Sequence, residues 1–164
     1  MKFTLAWLKE HLDTHADLDA IADRLTVIGL EVESVTDRGK GLEGFVVGQI
    51  LDATQHPDAD RLQVCRVGTG NEEFQVVCGA PNARAGMKGV FAPPGSYIPG
   101  TKITLKTSEI RGVESFGMLL SERELGISDE HEGIVDLPQE APVGALAIEV
   151  LALNDPIIEI AITP

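Results

Sequence analysis

The chain has 164 residues, 43% of them apolar, enough to bury one good core or one medium and one small. No apolar run approaches the roughly 20 residues of a membrane span, and Met1-Lys2-Phe3 leads into an amphipathic segment, so no secretory signal is expected. A net charge of −13 and a pI near 4.6 argue against strong nucleic-acid binding by the body as a whole. Yet the acidic residues crowd residues 1–37 and 122–140, while between Arg84 and Arg111 the cations Arg84, Lys88, Lys102, Lys106 and Arg111 face only Glu109.

Thr4 is placed to cap a first helix whose apolar face is Leu5, Leu8 and Leu12, with Trp7 beside it. Asp17 caps a second, with Leu18, Ile21, Ala22, Leu25 and Ile28 inward; Gly29 ends it in the left-handed conformation, and Leu30 to Val35 follows as a strand. About forty residues cannot build their own core. The β-forming run 156–162, after a loop at Asn154-Asp155, is expected to return and pair with Leu30–Val35. Residues 1–39 plus 148–164 then make a small discontinuous α/β domain, incomplete at its C-terminal end, around an inserted domain of residues 40–147.

In that insert Phe45 to Ala53 reads as the first strand, with Gly48 at a bend or bulge. Pro57 fixes φ in the next turn, where Asp58 and Asp60 can bond their own backbone before a strand from Leu62 to Val67. A turn at Gly68–Asn71 starts a third strand near Phe74 and sets Cys65 opposite Val76. Cys65 and Cys78 are then diagonal neighbours about 7–8 Å apart, too far for a relaxed disulfide, and are read as buried thiols. Val90-Phe91-Ala92 is the fourth strand, Pro93-Pro94-Gly95 and Ile98-Pro99-Gly100 are rigid turns, and Ser115 to Leu120 is the last full strand. Gly112 and Gly117 bracket that strand's start, where Cβ atoms would interfere. Ser121 and Glu124 form a capping box on a short helix closed by Gly126, and Gly133 to Leu137 plugs the end. The fold class is mainly β with α: a five-stranded Greek-key barrel inserted in a small α/β domain.

The ordered motifs HPDADRL (56–62), CGAPN (78–82) and IRGVESFGMLLS (110–121) resemble the tRNA-binding oligonucleotide-binding (OB) domain family, over residues 40–147. VCGAPN, SERELGIS, the opening WLKEHL and IADRLTVIGLEVE, and the closing IIEIAITP resemble the β subunits of bacterial phenylalanine–tRNA ligases. The resemblance implies a cytoplasmic ligase that uses ATP and Mg²⁺ to join phenylalanine to its tRNA. It also implies a heterotetramer of two α and two β subunits, with aminoacylation on the α subunit and editing in later β domains. This chain would be an N-terminal fragment with an accessory role, holding no identifiable catalytic or metal residue. A free tRNA-binding module without catalysis, or a structural OB domain that contacts protein, are the alternatives; the helices at 4–28 and the return strand speak against the first.

For tRNA contact the candidates are Asn82, displayed after the Ala80-Pro81 turn, Arg84, Arg111, whose guanidinium suits phosphate or stacking, and Ser115 as a phosphate donor. Lys88, Lys102 and Lys106 extend the set, although solvated surface lysine describes them as well. The competing structural roles are turn capping for Asn82 and Ser115, and pairing of Arg111 with Glu109 or Glu114. Metal binding by His56, Asp58 and Asp60 lacks a closing ligand, and His11 and His15 straddle a helix end. With 4% aromatic residues, and only Tyr97 and Phe116 of the barrel open to solvent, tRNA binding by this piece is expected to be weak and non-specific.

Overall fold

The computed structural model describes residues 1–161. In chain order it runs β1 (Lys2–Thr4), α1 (Leu5–His11), α2 (Leu18–Val27), β2 (Val32–Thr36), β3 (Val46–His56), β4 (Ala59–Gly68) and β5 (Glu73–Cys78). It continues with β6 (Lys88–Ala92), β7 (Tyr97–Ile98), β8 (Ile103–Thr104), β9 (Ser108–Ile110), β10 (Val113–Ser115) and β11 (Met118–Leu119). Then come α3 (Glu122–Leu125), α4 (Ala147–Val150) and β12 (Ile157–Ile160). Two compact units result: Met1–Lys40 with the chain from Ala152 on, and Gly41–Leu151.

In the first unit β12 lies between β1 and β2, antiparallel to both, with Phe3 and Val35 opposite Ile158. β12 pairs with β2, as expected of that run and the Leu30–Val35 region; Ile162, the last residue of the expected run, lies outside the described residues. β1 was not anticipated, because three residues are too few to show alternation. Thr4 and Asp17 cap the helices, accepting from the Trp7 and Ala20 amides. After α2, Gly29 at φ 97 lets its amide reach the Thr26 carbonyl and the Leu30 amide reach Leu25, a complete Schellman stop. Ile21, Ile158 and Ile160 form the core, with Phe3, Leu5, Leu8, Leu18 and Leu25 packed on it. Leu12 and Ile28 are corrected from inward to exposed, since each sits at the C-cap where the helical face has ended.

The second unit is built on an antiparallel sheet of order β11-β6-β3-β4-β5. Its ladders are open: mainly β with short helices is what the strands define. Ile50, Val67, Val76, Phe91 and Leu119 fill the core, and the Phe74 and Phe91 rings lie 4.9 Å apart. Cys65 is opposite Val76, as the turn at Gly70 requires, and both cysteines are free and buried.

Several local expectations are corrected. The register irregularities of β3 fall between Ile50 and Asp52 and between Gln55 and His56, not at Gly48. Gly48 serves close approach instead: a Cβ there would stand 2.7 Å from Val67 Cγ1 and 2.9 Å from Phe91 Cβ. Ser115 to Leu120 is two strands, broken at Gly117, where φ is 107 and a Cβ would lie 2.5 Å from the Ala92 carbonyl. Gly112 has open space around it and is needed only for its φ of 83. The turns expected at Pro93-Pro94-Gly95 and Ile98-Pro99-Gly100 are present, and the unexpected feature is that Tyr97 and Ile98 pair with Thr104 and Ile103 in a hairpin. The capping box is present: Ser121 Oγ accepts from the Glu124 amide, and Glu124 Oε2 accepts from the Ser121 amide at 2.7 Å. Ile134 and Leu137 are buried, as a plug requires.

Candidate nucleic-acid interface

The HPDA turn is shaped by its histidine, not by Asp58 or Asp60. His56 is 2% exposed, and its Nδ1 accepts from the Asp58 amide at 3.0 Å. Nε2 therefore carries the proton and donates to the Ile110 carbonyl at 2.9 Å. Ile110 begins a second turn, Arg111-Gly112, in which both residues have positive φ (49 and 83) between the paired Ile110 and Val113, the form that suits a tight hairpin. Arg111 Nη1 donates back to the Asp58 carbonyl at 2.9 Å rather than to Glu109 or Glu114. The two tips thus clasp each other, and the rest of the Arg111 guanidinium stays exposed.

The other expected contacts divide sharply. Asn82 is not displayed: its Nδ2 donates to the Ile134 carbonyl at 2.8 Å and its Oδ1 accepts from the Ile134 amide at 3.0 Å, so the amide clamps the 131–135 segment. Ser115 is 4% exposed and accepts from the Val77 amide at 3.1 Å, tying the strand to β5. Lys88 is no solvated lysine; its Nζ donates to the Gln139 and Ala141 carbonyls at 2.6 and 2.8 Å. Arg84 is exposed but paired with Asp136 at 2.8 Å and bonded to the Asn82 carbonyl. Lys102 and Lys106 are exposed, and no hydrogen bond or ion pair holds either side chain among the described residues. The linear stripe is therefore not one surface; three cations of it remain available, Lys102, Lys106 and Arg111.

Tyr97, half exposed, stands on the same hairpin as the two lysines. The signal that could have placed it there is the alternation of Tyr97 with buried Ile98 around the turn at Pro99-Gly100. Phe116 is only half-buried beside β5. A cleft of about 470 Å³ lies among Cys78, Met118, Ser121, Arg123 and Glu132. The neighbouring one, about 420 Å³, carries Glu122, Glu130, Glu132 and Asp136, whose charge repels phosphate.

Cys65 and Cys78 share a hydrogen bond. It pushes the Cys65 thiol well above its ordinary range, with burial adding to the effect. The same bond, helped by the Ala80 backbone, pulls Cys78 down to about 7 against the opposing effect of burial. Among the described residues no group of three His, Cys, Asp or Glu is arranged to hold a metal ion.

Against known proteins, the whole chain is similar to the phenylalanine–tRNA ligase β subunit of Zymomonas mobilis, 61% identical over 165 residues, and to that of Brucella abortus (strain 2308), 59% identical over 165 residues. It spans all of its own length but only 21% and 20% of those proteins, about a fifth of the relatives it matches. Among solved structures, a MetRS-related protein from Pyrococcus horikoshii is 28% identical, with a TM-score of 0.45 over 62% of this chain and 85% of that one. Residues 45–146, the sheet unit almost entire, match the putative tRNA binding domain, and the chain belongs to that family.

Proposed function

We propose that this chain is the accessory, tRNA-contacting part of the β subunit of a phenylalanine–tRNA ligase, with residues 41–151 as an OB-like domain inserted in a small α/β domain. The family match over residues 45–146 carries the reading. Barrel closure is supported by hydrogen bonds that run from the 114–116 segment to the free edge of β5. The Phe116 amide donates to the Gln75 carbonyl, and Gln75 Nε2 donates to the Glu114 carbonyl, both at 2.8 Å. Lys102, Lys106 and Arg111 are the proposed phosphate contacts, with Arg84 available only if its pair with Asp136 opens. ATP, Mg²⁺, an α-subunit partner in an α₂β₂ assembly and a cytoplasmic setting belong to the whole ligase. The described residues gather no Mg²⁺ ligand set, and no step of the ligation is assigned to them.

The expected behaviour follows from a few cations on an acidic body. tRNA should bind in the non-specific range, Kd about 10⁻⁴–10⁻⁶ M at physiological salt, with a log–log salt slope of about −2 to −4. Arg111→Ala should weaken all tRNAs alike and make the slope shallower by about one. Fluorescence anisotropy across a salt series measures both. Nanomolar binding selective for the phenylalanine tRNA would refute an accessory role. The acidic group at Glu122, Glu130, Glu132 and Asp136 favours one second reading, a domain that holds a basic protein surface. Absence of tRNA binding even at low salt would select it.

A further inference from the structure

We propose that the β7–β8 hairpin is a platform for an unpaired nucleotide, with Tyr97 stacking on the base and Lys102 and Lys106 taking the flanking phosphates. This rests on the tRNA-contacting reading above and specifies which form of RNA the surface meets.

The hairpin's geometry carries the inference. Tyr97 pairs with Thr104 and Ile98 with Ile103, and the ribbon extends further as the Leu105 amide donates to the Ser96 carbonyl and the Gly95 amide to the Leu105 carbonyl, both at 2.8 Å. Residues directly opposite share a face, and the face alternates along each strand. Tyr97, at 50% exposure, and Thr104 lie on the face opposite fully buried Ile98 and are open to solvent, Ile103 at the turn end is 49% exposed as well, and exposed Lys106 follows two residues after Thr104. Lys102 sits in the turn at φ 58, exposed. This short segment thus carries a half-exposed aromatic ring and two exposed lysines that no partner neutralises among the described residues.

The platform is also held in place. The Gly100 amide donates to the Glu124 carbonyl at 3.0 Å, and a Cβ at Gly100 would fall 1.8 Å from the Arg123 carbonyl, so the turn lies directly against the α3 backbone. A hairpin backbone already held in place loses little freedom when a base settles on it. Base stacking on an aromatic ring tolerates any sequence, because every base has a π-face, but it needs that face free of a neighbouring base pair. The chemistry therefore points to single-stranded stretches or ends of RNA, not to its duplex stems.

The test uses the chain as it stands and three probes: a fluorescein-labelled oligouridylate, a blunt RNA duplex of equal length, and tRNA, each followed by anisotropy across a salt series. Tyr97→Ala should weaken oligouridylate binding by about tenfold without changing the salt slope, and Tyr97→Phe should restore most of it. The double variant K102A/K106A should make the oligouridylate slope shallower by about 1.4. The ring and both lysines are exposed, so these variants leave the core intact. Oligouridylate binding that ignores Tyr97→Ala, or duplex bound as tightly as oligouridylate, would overturn the stacking platform while leaving the tRNA reading standing. So would wild-type protein that binds tRNA but no oligouridylate. Wild-type protein that binds none of the probes would instead bring down the tRNA reading, and this inference with it.

Discussion

At the scale of single residues, the HPDA turn is decided by one buried imidazole. His56 uses both nitrogens on backbone groups of two different hairpins, and Arg111 returns a bond to the first. A net hydrogen bond is worth about 0.5–1.5 kcal/mol, so His56→Ala, which removes the bonds to the Asp58 amide and the Ile110 carbonyl, should destabilise the 41–151 unit by about 1–3 kcal/mol. Urea denaturation measures it; a loss below about 0.5 kcal/mol, the range of ordinary surface changes, would show that water replaces both bonds. Sequence alone favoured Asp58 and Asp60, because acidic residues before a strand are common turn formers and a histidine's burial is invisible until its neighbours are known.

Among the elements, the three-stranded sheet of the first unit carries an electrostatic tie across all its strands. Glu159 on the central β12 accepts from Ser34 Oγ of β2 at 2.9 Å and lies 3.4 Å from Lys2 Nζ of β1. The Ser34 hydrogen bond, then Lys2, hold its carboxyl below the usual carboxylate value. A depressed folded-state value means the stabilisation is fully present above the unfolded carboxylate pKa of about 4.3 and is lost as the pH falls through the folded one. Amide protection factors in β1, β12 and β2, taken against the intrinsic exchange rate at each pH, should therefore fall on acidification in the wild type, and less so in Glu159→Gln, which keeps an acceptor for Ser34 but has no charge to lose. An equal fall in both would assign the acid sensitivity elsewhere. The pair is exposed, so the effect should also shrink in high salt.

For the molecule as a whole, the division into residues 1–40 with the chain from Ala152, and residues 41–151, has a consequence for folding. The first unit's core residues Ile158 and Ile160 come from β12, while Ile21 comes from α2. A polypeptide of residues 1–39 would lack the central strand of its own sheet and should show no protected amides. Residues 41–151 contain every strand of the five-stranded sheet and should unfold cooperatively in urea. Protected amides in the isolated 1–39 piece would mean that its two helices hold a core without β12.

What the sequence determined by itself was local and periodic. The caps at Thr4, Asp17 and Ser121, the Gly29 and Gly126 stops, and the Cys65–Val76 register follow from side-chain oxygens, left-handed glycines and two-residue strand alternation. The pairing of β12 with β2 was also legible, because an apolar β-run and an unsupported forty-residue segment each lacked a partner. The tertiary structure alone decided which polar residues are free. Asn82, Lys88 and Ser115 had the residue types of an RNA surface, but each is consumed by backbone groups between 38 and 53 positions away. Tyr97, Lys102 and Lys106 stay open on and beside a hairpin that buries Ile98 and lays its glycine against α3. A hydrogen-bonding side chain is spent or available according to what the fold brings within about 3 Å, and that distance is set by packing between segments far apart in the chain.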